Sequence, residues 1–274
     1  MASFVTEALV LRVFDFGESD AVVHLLTPET GRLVAIAKGA KRSRKRFSGA
    51  LDFFNQLRVQ VDQRPSRPMA RLEHAVLLHA FQEIRPSPSR FALACYLLEL
   101  LGRLAPEGGP RGDMQRLFAF ATGALSTIAR REPDLRLRAL LELRALDALG
   151  FRPELGHCVR CGKELGPAGE VAFHVADGGT VCGACALKIE GLLRVHLGTL
   201  RALEQGLRLP AERLDRLAFP EGALREARRL LARFTRFHLG IELRSERFLE
   251  EILSAAESRT RATDSSSPEQ GVRT

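Results

Sequence analysis

Apolar and polar residues alternate along much of the first eighty positions. Between residues 57 and 62 the odd positions are Leu or Val and the even positions are Arg, Gln or Asp, which is the period of a strand with one buried face. Two neighbouring apolar segments flank a turn at Pro28-Glu29-Thr30-Gly31, a pattern typical of a hairpin. The alternation predicts five strands: Phe4 to Phe14, Ala21 to Thr27, Arg32 to Lys38, Leu57 to Val61, and Met69 to Leu78.

Five short strands without a long helix predict a small closed or nearly closed β-barrel. The oligonucleotide-binding (OB) barrel is favoured, although an SH3-like barrel or a plain meander would show much the same alternation. The segment Arg85-Pro86-Ser87-Pro88-Ser89 then interrupts the strand pattern. We therefore expect a barrel domain over residues 1–82 and a boundary before residue 83.

Beyond this boundary the apolar residues recur at helical spacing. In residues 137–149 Leu and Ala return at steps of three and four, and Gly150 follows as a natural helix end. The predicted helices are Phe91 to Leu104, Met114 to Ala129, Leu135 to Leu149, Val195 to Leu207, Glu221 to Leu239, and Arg247 to Leu253. The predicted fold class is α+β and multidomain, with a mostly helical domain over residues 83–254 and a disordered polar tail over 255–274.

The predicted helix Glu221 to Leu239 has two unlike faces. Its apolar residues are expected to point inward: Leu224, Leu230, Leu231, Phe234 and Phe237. Its arginines are expected to face water: Arg225, Arg228, Arg229 and Arg233. A row of exposed arginines is a candidate site for an acidic peptide, and a solvated helix face is the alternative.

Composition narrows the class of protein. Apolar residues make up 45% and charged residues 27% of the 274 residues, the balance of a chain that buries a core. No apolar run is long enough to cross a membrane, and the start of the chain lacks the pattern of an export signal. Lys and Arg number 41 against 33 Asp and Glu, a net charge of +8, which favours an anionic partner, either nucleic acid or an acidic membrane surface.

Four of the five cysteines form two Cys-x-x-Cys pairs, Cys158 with Cys161 and Cys182 with Cys185. Twenty residues separate the pairs, and Gly178-Gly179 between them provides a turn that returns the second pair to the first. This spacing predicts a tetrahedral Zn²⁺ site, with a redox-active cysteine pair as the alternative. The fifth cysteine, Cys95, lies in an apolar segment and is expected to behave as a small hydrophobic residue.

The predicted zinc site is structural. A catalytic zinc keeps one position open for water, and four cysteine ligands leave none. His157 and His174 lie nearby in sequence and are either neighbours of the site or ordinary polar surface residues. No hydrolase or phosphate-loop motif occurs, so a zinc hydrolase acting on nucleic acid is the least favoured function.

A basic run follows the third predicted strand. Six of the nine residues from Lys38 to Arg46 are basic and none is acidic. Its candidate DNA-binding residues are Lys38, Lys41, Arg42, Arg44, Lys45 and Arg46. A positive loop held on a barrel is typical of a site for a nucleic-acid backbone, whereas a solvated loop or a nuclear-localisation signal are the alternatives.

Aromatic residues that would stack on bases are few, since the chain has no Trp and one Tyr. The candidates are Phe14, Phe16, Phe47, Phe53 and Phe54, with Phe47 favoured because it borders the basic run. Most of them are expected to lie in the core. This scarcity predicts binding through phosphates and hence little sequence preference.

Three blocks of the sequence resemble the bacterial RecO family of recombination mediators. Glu7-Ala8-Leu9-Val10-Leu11-Arg12, with the segment from Ala37 to Arg42, is similar to the barrel of that family. Gly150-Phe151-Arg152-Pro153 leading to the cysteine pairs resembles its zinc segment, and residues 238–249 resemble its closing helices. The order and spacing agree over roughly residues 4–254.

The resemblance implies an OB-fold domain, a helical domain and an inserted four-cysteine zinc finger over residues 151–187, without enzymatic turnover. It implies binding of single- and double-stranded DNA and annealing of complementary strands. It also implies partners: RecR, the acidic carboxy-terminal tail of single-strand binding protein (SSB), RecA indirectly, and RecF for some members. A cytoplasmic, nucleoid-associated bacterial protein with no membrane partner is expected. A protein-interaction adaptor whose barrel contacts DNA only incidentally is the second hypothesis.

Overall fold

Five strands of the computed structural model, which describes residues 2–43, 45–64, 69–166 and 169–264, close into a barrel. They are β1 (Ala2–Phe16), β2 (Asp20–Thr27), β3 (Gly31–Ala37), β4 (Gln56–Gln63) and β5 (Ala70–His79). Their order is β1-β2-β3-β5-β4, and antiparallel pairing of β1 with β4 closes the ring. A meander has only antiparallel neighbours, whereas β3 and β5 run parallel. The OB-type barrel predicted from the sequence is therefore confirmed.

Strand β1 has two buried faces because it separates two cores. Ala8 and Val10 point into the barrel, whereas Leu9 and Leu11 pack with the helices that follow. Phe54, which precedes β4, is also buried in the helical core. The barrel therefore shares an apolar interface with the helical part, and an isolated barrel would expose these residues to water.

Seven helices follow the barrel in the described part of the chain. They are α1 (Pro88–Leu104), α2 (Arg111–Arg130), α3 (Leu135–Ala148), α4 (Gly183–Ala186), α5 (Leu197–Arg208), α6 (Glu221–Leu239) and α7 (Arg244–Asp264). The local sequence begins two of them: the Ser87 side chain accepts a hydrogen bond from the Arg90 N–H, and Asp134 accepts one from Leu137. Helix α1 is buried on most of its faces, as its sequence predicts. No helix of the described residues is long and apolar enough to cross a membrane.

A second, small sheet lies between α3 and α5. It consists of β6 (Glu170–His174), β7 (Gly179–Val181) and β8 (Leu193–His196), in the order β7-β6-β8. Sequence patterns miss these strands because each has five residues or fewer. The sheet extends the inserted segment beyond residue 187, and Val195 lies in β8 rather than at the start of a helix.

Two other sequence-based expectations differ from the structure. The last helix is predicted to end at Leu253, whereas α7 continues to Asp264. Its final turns contain Ala, Glu and Arg, which have high helix propensity. Phe237 is predicted to point inward, yet 59% of its surface is exposed. The disordered tail is predicted over residues 255–274: residues 255–264 belong to α7, and residues 265–274 lie outside the described residues.

Candidate metal centre and nucleic-acid interface

The four paired cysteines converge on one point. The Sγ atoms of Cys158, Cys161, Cys182 and Cys185 all lie within 4.8 Å of one another, and those of Cys161 and Cys182 are 3.7 Å apart. Tetrahedral zinc with bonds of about 2.3 Å places its sulfur ligands about 3.8 Å apart. The cluster is therefore sized for a tetrahedral ion.

Neither nearby histidine belongs to this cluster. The Nδ1 of His157 lies 3.6 Å from a carboxylate oxygen of Glu154, and the Nδ1 of His174 lies 2.9 Å from one of Asp177. The cluster among the described residues that could hold a metal ion consists of the four cysteines. Such a set has no open position for a reacting water.

Backbone hydrogen bonds shape the loops that carry the cysteines. The Gly162 N–H donates to the Cys158 carbonyl at 2.8 Å, and Gly162 has a φ of +74°, a conformation that favours glycine. Cys182 occupies the position before the first turn of α4, and the Ala186 N–H donates to its carbonyl at 2.9 Å. Both loops thus turn tightly enough to aim two sulfurs at one ion.

Close packing around Gly179 brings the two cysteine pairs together. A Cβ at Gly179 would lie 2.5 Å from a methyl carbon of Val159 and 2.7 Å from the Glu154 Cβ. The Val159 N–H also donates to the Thr180 carbonyl at 2.9 Å. Strand β7 therefore lies directly against the first cysteine loop, and only glycine allows this approach.

The backbone also acts on the acidity of one thiol. Burial raises the pKa of Cys158, but the backbone N–H groups of Cys182, Cys161 and Arg160 outweigh this and lower that pKa to about 6. Hydrogen bonding with the Cys182 side chain raises the pKa of Cys185 to about 12. Cysteine binds a metal ion as a thiolate, so a divalent cation in the cluster would displace the protons of all four thiols.

The segment around the cysteines is not basic. Residues 151–191 contain four Lys and Arg and five Asp and Glu. One of the basic residues, Arg160, is paired with Asp177 at 2.5 Å. Four thiolates around one Zn²⁺ would make this segment more negative, so its charge does not favour contact with a polyanion.

The basic run lies beside the hairpin that joins β1 to β2. Three carboxylates from that hairpin reach its cations: Asp20 lies 2.7 Å from Lys38, Asp15 lies 3.1 Å from Lys41, and Glu18 lies 4.0 Å from Arg42. The run contains no acidic residue in sequence, yet the fold supplies three. Its charge is partly neutralised before any ligand binds.

Two of the predicted DNA-binding residues hold the loop in place. Lys38 binds Asp20, and the Arg46 guanidinium donates to the Lys38 carbonyl at 2.5 Å. Lys41, Arg42 and Lys45 are exposed, although the Lys41 ammonium also donates to the Gly17 carbonyl at 3.3 Å. Lys45 has no ion-pair partner among the residues described, whereas Arg44 lies outside them.

Phe47 does not stack on a ligand. It is 1% exposed and packs inside the barrel with Val59 and Val61, so its prediction as the main stacking residue is wrong. The Ala75 N–H donates to the Arg46 carbonyl at 2.9 Å, which holds the chain over the barrel end and places the next side chain inside. Phe54 is buried as well.

Exposed aromatic residues lie instead on the outer face of β1. Arg12, Phe14 and Phe16 alternate along the strand and therefore project to one side, which we call the β1 face. The Arg12 guanidinium lies 4.4 Å from the Phe14 ring centre, and the Lys38 ammonium lies 6.0 Å from that of Phe16. Phe14 and Phe16 are 37% and 49% exposed. Their spacing of two residues, with Val13 and Asp15 between them, could have predicted from the sequence that they share one side of the strand.

Three of the four α6 arginines that are expected to face water do so. Arg225, Arg229 and Arg233 are exposed. Arg228 is half-buried, and its guanidinium lies 3.1 Å from a carboxylate oxygen of Glu250 in α7. This face is basic but contains a carboxylate, like the loop on the barrel.

Comparison with known proteins covers both parts of the chain. The family described as Recombination protein O N terminal matches residues 1–81, and that described as Recombination protein O C terminal matches residues 85–247. A DNA repair protein RecO of Anaeromyxobacter dehalogenans (strain 2CP-C) is 40% identical over 248 residues, covering 89% of this chain and 94% of the relative. That of Myxococcus xanthus is 34% identical, covering 92% and 99%, and that of Syntrophus aciditrophicus 32%, covering 92% and 96%.

The two matches meet where the barrel gives way to helices, between β5 and α1. The relatives align over nearly their whole length, so the likeness is to complete proteins and not to one shared module. With its barrel, helices and cysteine cluster in the order that the sequence resemblance implies, this chain belongs to the RecO family of DNA repair and recombination proteins.

Proposed function

We propose that this protein binds single- and double-stranded DNA without catalysing a reaction, anneals complementary strands and, with RecR, promotes loading of RecA onto SSB-coated single strands in the RecF pathway. The observation that carries the proposal is that the basic run, with its exposed cations Lys41, Arg42 and Lys45, begins at the β1 face, where the Lys38 ammonium lies 6.0 Å from the Phe16 ring centre. Phosphates and bases of one strand can be bound side by side there. Residues 1–82 are the DNA-binding part.

Cations support annealing because two polyanions must approach each other. Each phosphate that a lysine or arginine neutralises releases counterions, so affinity falls as salt rises. Of the six predicted contacts, Lys38 is paired with Asp20 of β2, and Arg46 donates to the Lys38 carbonyl. The three exposed cations would account for a slope of about −2 in log affinity against log salt, at about −0.7 per contact on a single strand.

The β1 face supports binding of unpaired bases. Phe14 and Phe16 are exposed and each has a cation near its ring. Every base has a π-face, so stacking tolerates any sequence and contributes about 1–3 kcal/mol per base. DNA binding then combines contacts to phosphates with stacking on bases, whereas the sequence alone predicts binding through phosphates.

The remaining parts fit a protein-contact role. The cysteine cluster holds a structural Zn²⁺, and its ligand set leaves no position for catalysis. The exposed arginines of α6 are complementary in charge to the acidic SSB tail. RecR, RecA indirectly, and RecF are the further partners, and the cytoplasmic nucleoid, where the DNA lies, is the place of action.

A salt titration tests the DNA interface. The variant Lys41→Gln/Arg42→Gln/Lys45→Gln should bind a labelled oligo(dT) more weakly, and its salt slope should be shallower by about 2 than that of the wild type. The control Arg194→Gln/Arg201→Gln/Arg213→Gln removes the same charge from exposed positions outside the barrel. Equal slopes for the loop variant and the wild type would exclude the loop from the interface.

Strand annealing tests the activity itself. The wild type should accelerate annealing of complementary oligonucleotides, both bare and coated with SSB, and the loop variant should do so less. The control variant should retain the wild-type rate. Failure of the wild type to anneal either substrate would refute the proposed function.

A further inference from the structure

A cavity of about 430 Å³ lies where the barrel meets the helices. Its walls come from β1, β2 and β3 on one side and from α1 and the start of α7 on the other. The volume is in the range of sites for small molecules. We call it the junction pocket.

The pocket is positively charged. Four arginines line it: Arg12, Arg32, Arg103 and Arg244. Its single carboxylate among the lining residues, Glu99, is already engaged, because its oxygens accept from the backbone N–H groups of Arg244 and Ser245 at 3.0 and 2.9 Å. The Ser245 hydroxyl donates to it as well, at 2.6 Å. Glu99 thus holds the first turn of α7. Arg32 is engaged as well, because its guanidinium pairs with Glu107 at 2.7 Å and donates to the Gly102 carbonyl at 3.0 Å. The guanidinium groups of Arg12, Arg103 and Arg244 are the ones available to an anion.

The positive charge of the pocket also acts on His24, which lies in its wall. Burial lowers the pKa of His24, and the charges of Arg32 and Arg12 lower it further, against a smaller opposing effect of Glu107. Its imidazole is therefore neutral near pH 7, and it presents a flat ring without adding to the positive charge.

The floor of the pocket is apolar. Leu11 and Leu98 are 3% and 4% exposed, and Cys95 lies beside them. Phe53, at 39% exposure, forms part of the rim. A ligand suited to this pocket has a flat or apolar group for the floor and a negative group for the arginines.

The pocket is continuous with the β1 face. The Phe14 ring lies 4.4 Å from the Arg12 guanidinium and 5.2 Å from the His24 ring, and both of these residues also line the pocket. From Phe16 to Arg12 the strand covers about 13 Å. A single strand bound along this face would reach the pocket within a few nucleotides.

We propose that the junction pocket receives one unstacked nucleotide of a single strand, with its base on the Leu11 and Leu98 floor and its phosphate among the arginines. This proposal rests on the proposed function, since it requires DNA on the β1 face. A paired base cannot enter the pocket without leaving its partner. The pocket therefore provides a preference for single strands over duplexes, which phosphate contacts alone do not provide.

A pocket-filling variant tests this inference. Gly102 lies in α1 on the pocket wall, and a Cβ added there meets no atom within 4 Å. Gly102→Leu should fill the pocket without straining the helix. The matched control is Gly123→Leu in α2, where a Cβ also meets nothing within 4 Å and which is not a lining residue of the pocket.

Affinities for labelled oligo(dT) and for a blunt hairpin duplex are measured by fluorescence anisotropy at one salt concentration. Gly102→Leu is expected to weaken oligo(dT) binding by about tenfold and to leave duplex binding unchanged, while Gly123→Leu changes neither. Equal oligo(dT) affinity for both variants and the wild type overturns the pocket proposal but leaves the proposed function intact. A wild type that binds neither DNA overturns both.

A second binding measurement, with the acidic SSB tail peptide, tests whether the pocket binds a nucleotide or a peptide. If Gly102→Leu retains oligo(dT) affinity but no longer binds the acidic SSB tail peptide, the pocket is a peptide site and the nucleotide proposal is wrong. If it loses oligo(dT) affinity and retains the peptide, the nucleotide assignment is supported.

Discussion

The Lys38 ammonium lies 2.7 Å from one carboxylate oxygen of Asp20, and the other oxygen accepts a hydrogen bond from the Gly39 N–H at 2.8 Å. The hydrogen bond from Lys38, followed by that from Gly39, lowers the pKa of Asp20, which therefore stays ionised at neutral pH. Glu18 differs from Asp20: it is 94% exposed and 4.0 Å from Arg42. Two carboxylates of equal charge thus have different roles, one holding the loop and one only screening it.

These two carboxylates should respond oppositely to substitution. Glu18→Gln removes competition for Arg42 and should raise affinity for oligo(dT) about two- to threefold at low salt. Asp20→Ala should lower affinity although it also removes a negative charge, because the loop must then be ordered on binding. Anisotropy titrations at low and high salt measure both effects. An equal gain for the two variants would contradict the holding role of Asp20.

Loss of the metal site should destabilise the helical part. Phe173 and Leu155 of the cysteine segment are buried with residues of α3, α5 and α6. Cys182→Ser removes one of four ligands, and unfolding free energy should fall by about 3 kcal/mol or more, roughly 10 °C in Tm. DNA binding at 25 °C should persist, because the loop and the β1 face lie on the barrel.

Zinc content and thermal unfolding measure this effect. The wild type and the control Cys95→Ser should each contain one zinc per chain, and a chelator should lower the Tm of both to that of Cys182→Ser. A chelator-insensitive Tm would show that the cluster does not support the fold. The whole chain is needed for this test, since an isolated barrel exposes Leu9, Leu11 and Phe54.

Glycine at position 179 should be required for the metal site. A Cβ there would lie 2.5 Å from Val159 and 2.7 Å from Glu154, so Gly179→Ala must displace β7 from the first cysteine loop. We expect a loss of about 1–3 kcal/mol in stability and weaker zinc retention. Gly183→Ala, where a Cβ meets nothing within 4 Å, is the control and should retain zinc as the wild type does. Equal zinc release by the two variants would refute the close approach.

Glu142 should make stability depend on pH. Burial raises its pKa, against the opposing charge of Arg138, while Glu246 raises it further. The Thr235 hydroxyl donates to it at 3.1 Å, and a hydrogen bond from Tyr96 also lowers this pKa. The folded state therefore binds the Glu142 proton more tightly than the unfolded state does. The protonated carboxyl contributes its full stability to the fold below about pH 4.5, and this contribution is lost as pH rises through the folded pKa.

Glu142→Gln carries no such proton and should lose less stability than the wild type between about pH 5 and about pH 8. Urea denaturation at the two pH values measures the difference. Glu164→Gln, at an exposed position, should follow the wild type. Parallel loss in wild type and Glu142→Gln would show that Glu142 does not titrate in this window.

The local pattern of apolar and polar residues was sufficient to predict most of the strands and helices. The five barrel strands follow from alternation, and α6 begins and ends at the predicted residues, Glu221 and Leu239. The cysteine spacing alone predicted that the four Sγ atoms lie together, as they do in the structure. Such features depend on residues close in sequence. Their periodicity predicts a buried face, and the spacing within each cysteine pair predicts thiols that lie side by side.

Contacts between distant residues could not be predicted in this way. The three carboxylates beside the basic run, the burial of Phe47, and the junction pocket all depend on which strands and helices become neighbours. The sequence by itself determined that a basic loop, a barrel and a four-cysteine site exist. Only the tertiary structure decided which cations remain exposed and which aromatics face solvent, because charge pairing and burial are properties of neighbours in space.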